Sequence, residues 1–120
     1  MRDPTRGGLA ATLNEIAGGQ RWGIMLDEAA IPTDAAVKSA CEILGLDHLY
    51  IANEGKVVLI VNSTKAKEIL KKIRRHPQGK LAMIVGEVEK NHPGKVYLKT
   101  VSGGKRILDM PISDPLPRIC

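Results

Sequence analysis

The fold class is decided by residues 4–37, which read PTRGGLAATLNEIAGGQRWGIMLDEAAIPTDAAV. Apolar residues recur there at the spacing of one helical face, at positions Leu9, Leu13 and Ile16. The pair Gly18-Gly19 ends that pattern, because glycine readily adopts the backbone conformations that terminate helices. The short apolar run 22–27, bounded by Gly and Asp, then predicts a strand. A helix followed directly by a strand predicts a domain that mixes both elements.

A second helix and two strands are predicted next. The helix starts at Thr33 or Asp34, whose side chains can cap it, and ends at Gly45. Its expected apolar face consists of Val37, Cys41 and Leu44. Leu49–Ile51 predicts a short strand. The continuous β-branched run Val57–Val61 predicts a strand that is buried on both faces.

The last part of the chain predicts one more helix, two hairpins and an arm. Ser63 or Thr64 can cap the helix, which Pro77–Gly79 ends and whose inward residues are Ile69, Leu70 and Ile73. Strands at Leu81–Val88, Val96–Thr100 and Arg106–Leu108, separated by Gly-containing turns, predict two successive hairpins. Three prolines in residues 110–120 predict an extended arm, eight residues of which reach about 25 Å. We therefore expect an α+β domain over residues 1–109, with a mixed sheet and an arm at 110–120.

Composition excludes several classes of protein. With 120 residues, 43% hydrophobic and 26% charged, the chain fits one globular domain, and no apolar run approaches the roughly 20 residues of a membrane span. The N-terminus lacks an export signal, so we expect a cytoplasmic protein with two free thiols. The net charge is +5 (18 − 13), but only 2% of residues are aromatic, which argues against a nucleic-acid partner. The basic run 71–76 is typical of a solvated helix end. The three histidines and two cysteines have no metal-site spacing, so we expect no metal.

Three places can carry chemistry. Residues 2–8 form a polar loop before a helix, where two arginines and backbone N–H groups can bind an anion or phosphate; a simple capped helix start is the alternative. Asn53-Glu54-Gly55 can be a plain turn, or it can hold Glu54 as a general base. Cys120 ends the chain, and its thiolate can act as a nucleophilic carrier; a merely disordered end is the alternative.

Three motifs carry a resemblance that runs the length of the chain. Met1-Arg-Asp-Pro-Thr-Arg-Gly-Gly-Leu9, Asn53-Glu-Gly-Lys56 and the terminal Pro117-Arg-Ile-Cys120 together resemble the HypE family of hydrogenase maturation proteins. That family belongs to the aminoimidazole ribonucleotide synthetase (PurM-like) superfamily. The first motif is similar to the whole superfamily, whereas the terminal motif separates this family from its relatives. The resemblance implies a three-layer α/β/α domain of the PurM C-terminal type.

The resemblance also implies an activity. In that family a HypF-type carbamoyltransferase places a carbamoyl group on the C-terminal cysteine, and the S-carboxamide is then dehydrated with ATP to a thiocyanate. The cyano group passes to iron on a HypC–HypD scaffold during [NiFe]-hydrogenase maturation. By the matching motif Cys120 is the carrier nucleophile, because a thiol accepts an acyl-type group and leaves readily. Glu54 is the candidate base near the carboxamide nitrogen.

The remaining expected site residues are implied by the same motifs. The edge of the nucleotide cleft is expected at Arg2, Asp3, Thr5, Arg6, Gly7 and Gly8. Contacts of the arm with partners are expected at Pro117, Arg118 and Ile119. Most contacts with ATP and Mg²⁺, and the homodimer interface, are implied to lie in an N-terminal domain outside these 120 residues. We therefore expect the isolated chain to bind no cofactor tightly and to be inactive alone.

Two alternatives stay open at this point. The chain can be a non-enzymatic module whose arm docks on a partner, and trimming the last three residues would separate this behaviour from that of a carrier. It can also be another ATP-dependent enzyme of the same superfamily, although Cys120 would then have no purpose.

Overall fold

The computed structural model describes residues 1–112, and predictions about Cys120 and the three residues before it lie outside this range. The helices are α1 (Gly8–Ala17), α2 (Ala35–Leu44) and α3 (Ala66–Arg74), and the strands are β1 (Gly23–Asp27), β2 (Gly86–Glu89), β3 (Val96–Lys99) and β4 (Lys105–Ile107). Short 3-10 turns occur at Glu28–Ala30, His48–Tyr50 and Pro77–Gly79. Within the described residues, no helix has the length and apolar character that crossing a membrane requires.

The four strands form one mixed sheet in the order β2-β1-β3-β4. Strand β1 is antiparallel to β2 and parallel to β3, and β3 is antiparallel to β4. The α+β class and the mixed sheet are thus confirmed, as is the second hairpin. The first predicted hairpin is wrong, because β2 and β3 lie on opposite sides of β1. Its presumed turn instead crosses the start of β1, where the Gly94 N–H donates to the Trp22 carbonyl oxygen (2.9 Å).

The core lies between α1 and one face of the sheet. Ile24 and Leu26 alternate onto this face from β1, and Val96 and Leu98 do the same from β3. The helix contributes Ala10, Leu13 and Ala17, and the core is completed by Leu49 and Leu108. Two alanines on the buried side of α1 leave room for a close approach to the sheet. The predicted helical face is therefore shifted by one residue, so that Leu9 and Ile16 are only half-buried.

The segment Val57–Val61 contradicts its prediction as a strand buried on both faces. It forms no strand, and its regular pairing is limited to one bridge between Val58 and Arg2. Val57 is 54% exposed and Ile60 44% exposed. A β-branched run is buried in a sheet only when strands lie on either side of it, and here the sheet is built by other segments.

Several local predictions also fail for identifiable reasons. Leu49–Ile51 is not a strand, because Asp47 accepts a hydrogen bond from the Leu49 N–H (3.0 Å) and starts a 3-10 turn there. The strand predicted from Leu81 begins only at Gly86. Neither Ser63 nor Thr64 caps α3; the Asn62 carboxamide oxygen instead accepts from the Thr64 N–H (2.9 Å) upstream of the helix.

Helix α2 has the predicted ends but not the predicted face. Asp34 caps it by accepting from the Ala36 N–H (2.8 Å), and Gly45 ends it with φ of 66°. Of its expected apolar face only Cys41 is buried, as a free thiol, whereas Leu44 is 69% exposed. The helix packs on the His48–Tyr50 turn rather than on the sheet, so most of its apolar side chains have no surface to cover them.

Candidate functional site

The two internal motifs of the sequence lie side by side. The Asn53 N–H donates to the Pro4 carbonyl oxygen (2.9 Å). Arg2 and Val58 exchange backbone hydrogen bonds in both directions, at 3.0 and 2.7 Å. These long-range pairs bring the loop of residues 2–8 against the 53–56 bend, although the two are far apart in sequence. Sequence analysis identified both motifs but had no means of joining them.

Glycine is required where the loop becomes α1. Gly7 and Gly8 have φ of 72° and 65°, in the left-handed region that other residues rarely adopt. A Cβ atom on Gly8 would lie 2.5 Å from the Leu49 carbonyl oxygen and 2.6 Å from that of Ile51. The helix start therefore sits directly on the chain that leads to Asn53. Gly7 at the N-cap has no side chain with which to cap α1, and the N–H groups and positive dipole end of the helix favour an anion on this side.

The charged residues of the loop differ in their surroundings. The guanidinium of Arg2 pairs with the Glu15 carboxylate, and both side chains are about half exposed (53% and 41%). This exposed pair contributes little stability, but it compensates the charge of Arg2. Arg6 lies at the rim of a groove of about 210 Å³ that is also lined by Gly7, Ala11, Glu15, Met110, Pro111 and Ile112. Asp3 and Thr5 are exposed, and their backbone carbonyl oxygens accept hydrogen bonds from the Thr12 hydroxyl (3.4 Å) and the Gly8 N–H (3.2 Å).

Glu54 occupies an exposed bend with a defined frame. Gly55 has φ of 69°, and the Lys56 ammonium donates to the Asn53 carboxamide oxygen (2.7 Å). Together with the Asn53–Pro4 bond, these contacts hold the bend against the loop of residues 2–8. The plain-turn interpretation of this motif agrees with the backbone. The same backbone leaves the Glu54 side chain exposed to solvent.

The chain that leads into the arm passes the same end of α1. We call residues 106–109 the arm root. Leu108 is fully buried, and its N–H donates to the Val96 carbonyl oxygen (2.9 Å). Its carbonyl oxygen accepts from the Asn14 carboxamide nitrogen (2.7 Å). Farther on, the Pro111 ring lies 3.3 Å from where a Cβ atom on Gly7 would be. The loop, the bend and the start of the arm are thus neighbours.

Asn14 and the pair Asp47–Arg106 were missed by sequence analysis. Arg106 donates from Nη2 to the Asp47 carboxylate (2.6 Å), which ties the arm root to the 3-10 turn His48–Tyr50. Burial, with the neighbouring Asp47 carboxylate, raises the pKa of the Tyr50 hydroxyl there, while the nearby Arg106 opposes the shift. The type of residue at Asn14 was the one signal available in the sequence. Asparagine is disfavoured inside helices, so an asparagine there indicates that its side chain has a specific partner.

The donor set fits an anion better than a metal held by this chain alone. Arg6 and the start of α1 suit a phosphate, and Asp3 offers one exposed carboxylate. Mg²⁺ is commonly bound by one or two carboxylates together with substrate phosphates, so Asp3 fits the part of a single ligand. In residues 1–112, no group of three or more His, Cys, Asp or Glu side chains is placed to hold a metal ion.

Comparison with known proteins identifies the family to which this fold belongs. The family model described as AIR synthase related protein, C-terminal domain, matches residues 1–99. A protein named for hydrogenase expression and formation in Methanocaldococcus jannaschii is 52% identical over all 120 residues, which cover 35% of its length. The carbamoyl dehydratase HypE of Cupriavidus necator is 50% identical over 120 residues, 34% of its length. The chain therefore spans about a third of the length of these curated relatives.

Solved structures give the same result. A crystal structure of hydrogenase maturation protein HypE superposes with a TM-score of 0.89 at 43% identity, covering 99% of this chain and 39% of that one. HypE in complex with ATP gives 0.86 at 42% identity, with 95% and 36% covered. A HypE–HypF complex gives 0.84 at 44% identity, with 92% and 35% covered.

Proposed function

Because the chain belongs to the AIR synthase related family, as a copy of its C-terminal domain, we propose that it is the C-terminal part of a carbamoyl dehydratase of hydrogenase maturation. Residues 1–109 form its folded domain, and residues 110–120 form an arm that carries the reacting thiol of Cys120. The relatives at about 50% identity that are named carbamoyl dehydratase HypE support this assignment.

One observation carries the proposal. The loop of residues 2–8, the bend at Asn53–Lys56 and the start of the arm meet at the N-terminal end of α1. From Ile112 the remaining eight residues reach about 25 Å, which suffices to return Cys120 to this loop or to extend it to another protein. An anion-binding loop, an exposed carboxylate and a tethered thiol are the groups that the reaction needs.

The reaction divides into two steps on the thiol. First, the Cys120 thiolate attacks the carbonyl carbon of a carbamoyl group activated by the carbamoyltransferase; the bond to the activating leaving group breaks, the thiol proton is released, and an S-carboxamide forms. Second, the carboxamide oxygen takes the γ-phosphoryl group of ATP, the nitrogen loses its two protons, and phosphate departs with the oxygen. The products are the S-cyanide (thiocyanate), ADP and inorganic phosphate. Glu54 accepts a proton from the carboxamide nitrogen, and Arg6 with the start of α1 binds phosphate oxygens.

Cofactors and partners follow from the same proposal. ATP is the phosphoryl donor, in line with the HypE structure named as a complex with ATP, and Mg²⁺ neutralises its phosphates when bound. Arg2, Asp3, Thr5, Gly7 and Gly8 belong to the cleft edge. A HypF-type carbamoyltransferase loads the thiol, as the HypE–HypF complex suggests. Pro117, Arg118 and Ile119 contact such partners, and a HypC–HypD scaffold receives the cyano group. The whole protein is expected to be a cytoplasmic homodimer that binds neither nucleic acid nor membrane.

Replacement of Glu54 tests the catalytic part. In the full-length protein that carries this domain, Glu54→Gln is expected to accept the carbamoyl group normally and to slow dehydration by about a hundredfold or more, because a general base typically contributes 10²–10⁴. The measurement is single-turnover intact-mass spectrometry with ATP, starting from the carbamoylated protein.

Glu68→Gln is the matched control. Glu68 is an exposed glutamate on α3 whose ion pair within residues 1–112 is with Lys72 (2.8 Å) on its own helix, so both steps should keep their wild-type rates. Dehydration at the wild-type rate in Glu54→Gln would remove Glu54 from the mechanism. If the unsubstituted protein never carries a carbamoyl group on Cys120, the proposed function itself is wrong.

A further inference from the structure

The arm root is fixed to the folded domain by three separate elements. The Arg106 guanidinium pairs at 2.6 Å with the carboxylate of Asp47, the residue just before the 3-10 turn His48–Tyr50. The Leu108 N–H is bound to the Val96 carbonyl oxygen on β3 (2.9 Å), and the Leu108 side chain is fully buried. Its carbonyl oxygen is bound by Asn14 from α1 (2.7 Å). The direction in which the chain enters the arm is therefore set by packing and hydrogen bonds and not by the arm itself.

Asn14 is the member of this set that joins the arm root to the helix under it. Its carboxamide nitrogen has two hydrogens, and the two acceptors in reach are the Ala10 carbonyl oxygen (2.9 Å) and the Leu108 carbonyl oxygen (2.7 Å). With both acceptors engaged, the side chain is held in one orientation. Asparagine is less favourable than alanine inside a helix, so its presence here calls for a compensating contact. The bond to the arm root, 94 residues away in sequence, is that contact.

The chain beyond Leu108 then runs back along α1. It meets Asn14 at residue 108 and Gly7 at Pro111, so it travels from the middle of the helix toward its first residue. Met110, Pro111 and Ile112 form one wall of the groove whose other wall carries Arg6 and Glu15. This course aims the start of the arm at the loop of residues 2–8 rather than away from it.

We propose that Asn14 is a positioning residue for the dehydration step: it holds the arm root so that the arm starts toward the anion-binding loop. The inference rests on the proposed function. Dehydration needs the loaded thiol to meet groups of its own protein, so its rate depends on the effective concentration of the thiol at the loop. Loading by a separate carbamoyltransferase depends on the free end of the arm and not on the direction of its root. Loss of Asn14 should therefore affect the two steps unequally.

The test measures both steps in the full-length protein that carries this domain. Asn14→Asp keeps the shape of the side chain but removes both donors, and Asn14→Leu removes all polarity. Both are expected to lower the single-turnover dehydration rate by about tenfold or more, since misplacement of about 1 Å can cost a hundredfold, while carbamoylation stays within about twofold of wild type. Asn14→Gln retains the donor and should recover part of the dehydration rate.

Asn62→Asp is the control for the chemical change. Asn62 uses its carboxamide oxygen as acceptor for Thr64, which an aspartate reproduces, and it lies before α3, away from the arm root. In Asn62→Asp, carbamoylation and dehydration should both keep their wild-type rates. Equal slowing of both steps in Asn14→Asp, or no slowing of dehydration, would overturn the positioning role.

A second variant keeps the idea testable if Asn14 substitutions do not fold. Two glycines inserted between the exposed residues Asp109 and Met110 leave Asn14 and its bonds in place but release the arm from the direction of its root. The same selective loss of dehydration is expected, and a wild-type dehydration rate would overturn the inference. If the unsubstituted protein accepts no carbamoyl group, both the proposed function and this inference are wrong. That result is obtained with the unsubstituted protein alone, so it is distinguishable from failure of the positioning role, which only the variants show.

Discussion

The two sides of this domain contain similar apolar sequences, whose side chains are buried on one side and exposed to solvent on the other. On the side of α1, which we call the packed side, Val96, Leu98 and Leu108 are completely buried between that helix and the sheet. Outside this core, apolar side chains of α2, of Val57–Val61 and at Leu81 stand in solvent, and Leu81 is 82% exposed; we call these segments the exposed side. The difference lies in the neighbours and not in the residues, because burial needs a second element with a matching face. The loop of residues 2–8 and the arm root lie on the packed side, and the backbone pair Arg2–Val58 joins this loop to the exposed side.

This division matters for the proposed chemistry. The loop of residues 2–8 and the arm root are attached to α1, whose position is fixed by the core. Groups that must meet with sub-ångström accuracy are best placed on elements that packing holds still. The exposed side offers surface without comparable constraint. If the comparison is correct, substitutions on the packed side should cost stability, and similar ones on the exposed side should not.

The largest difference is expected between two leucines. Leu98→Ala deletes a fully buried side chain and should lower the free energy of unfolding by about 3 kcal/mol, through lost burial and the remaining cavity. Leu81→Ala makes the same chemical change where the side chain is exposed, and should change it by less than about 0.5 kcal/mol. Urea unfolding followed by the fluorescence of Trp22, which packs against the core, measures both. Equal losses would contradict the division of the domain into two sides.

A smaller difference should separate two glycines with similar backbone angles. Gly8→Ala places a Cβ atom 2.5 Å from a backbone oxygen and forces a φ of 65° on alanine, so a loss of about 2–3 kcal/mol is expected. Gly19→Ala has φ of 74° with no atom within 4 Å, and should cost only the strain of about 1–2 kcal/mol. Thermal unfolding of both variants gives the comparison. A Gly8→Ala protein no less stable than Gly19→Ala would mean that α1 starts farther from the Leu49–Ile51 chain.

Local sequence signals predicted several elements and helix ends well, on both sides of the domain. Helix α1, strand β1, the Asp34 cap, the Gly45 end and the β3–β4 hairpin all depend on nearby residues, whose propensities act over a few positions. The prediction of a buried strand at Val57–Val61 was wrong. A β-branched run favours a buried strand, but it cannot supply the neighbouring strands that would bury it. The predicted hairpin of β2 with β3 was wrong for a related reason: a turn signal does not say which strand the chain pairs with after it.

The candidate site could be predicted only in part. Local patterns singled out its motifs, and the resemblance added the roles of their residues. The adjacency of the motifs depends on long-range pairs such as Asn53–Pro4 and Arg2–Val58, which no local pattern encodes. Asn14 lay inside a well-predicted helix, where its polar side chain carried a weak signal. Its partner is a backbone carbonyl oxygen of Leu108, and a backbone acceptor leaves no trace in residue type.

The most direct test of the central claim is intact-mass spectrometry of the full-length protein and of this 120-residue chain. Each is incubated with the carbamoyltransferase, carbamoyl phosphate and ATP, beside its Cys120→Ala variant. The account predicts a gain of ~43 Da on the full-length protein, the mass of a carbamoyl group on a nucleophilic thiol, which drops to ~25 Da as dehydration removes water; the Cys120→Ala variant gains neither. The same gain on the short chain would mean that the carbamoyltransferase recognises this domain and its arm alone. An unmodified full-length protein, or equal modification of the Cys120→Ala variant, would contradict the claim that Cys120 carries the chemistry.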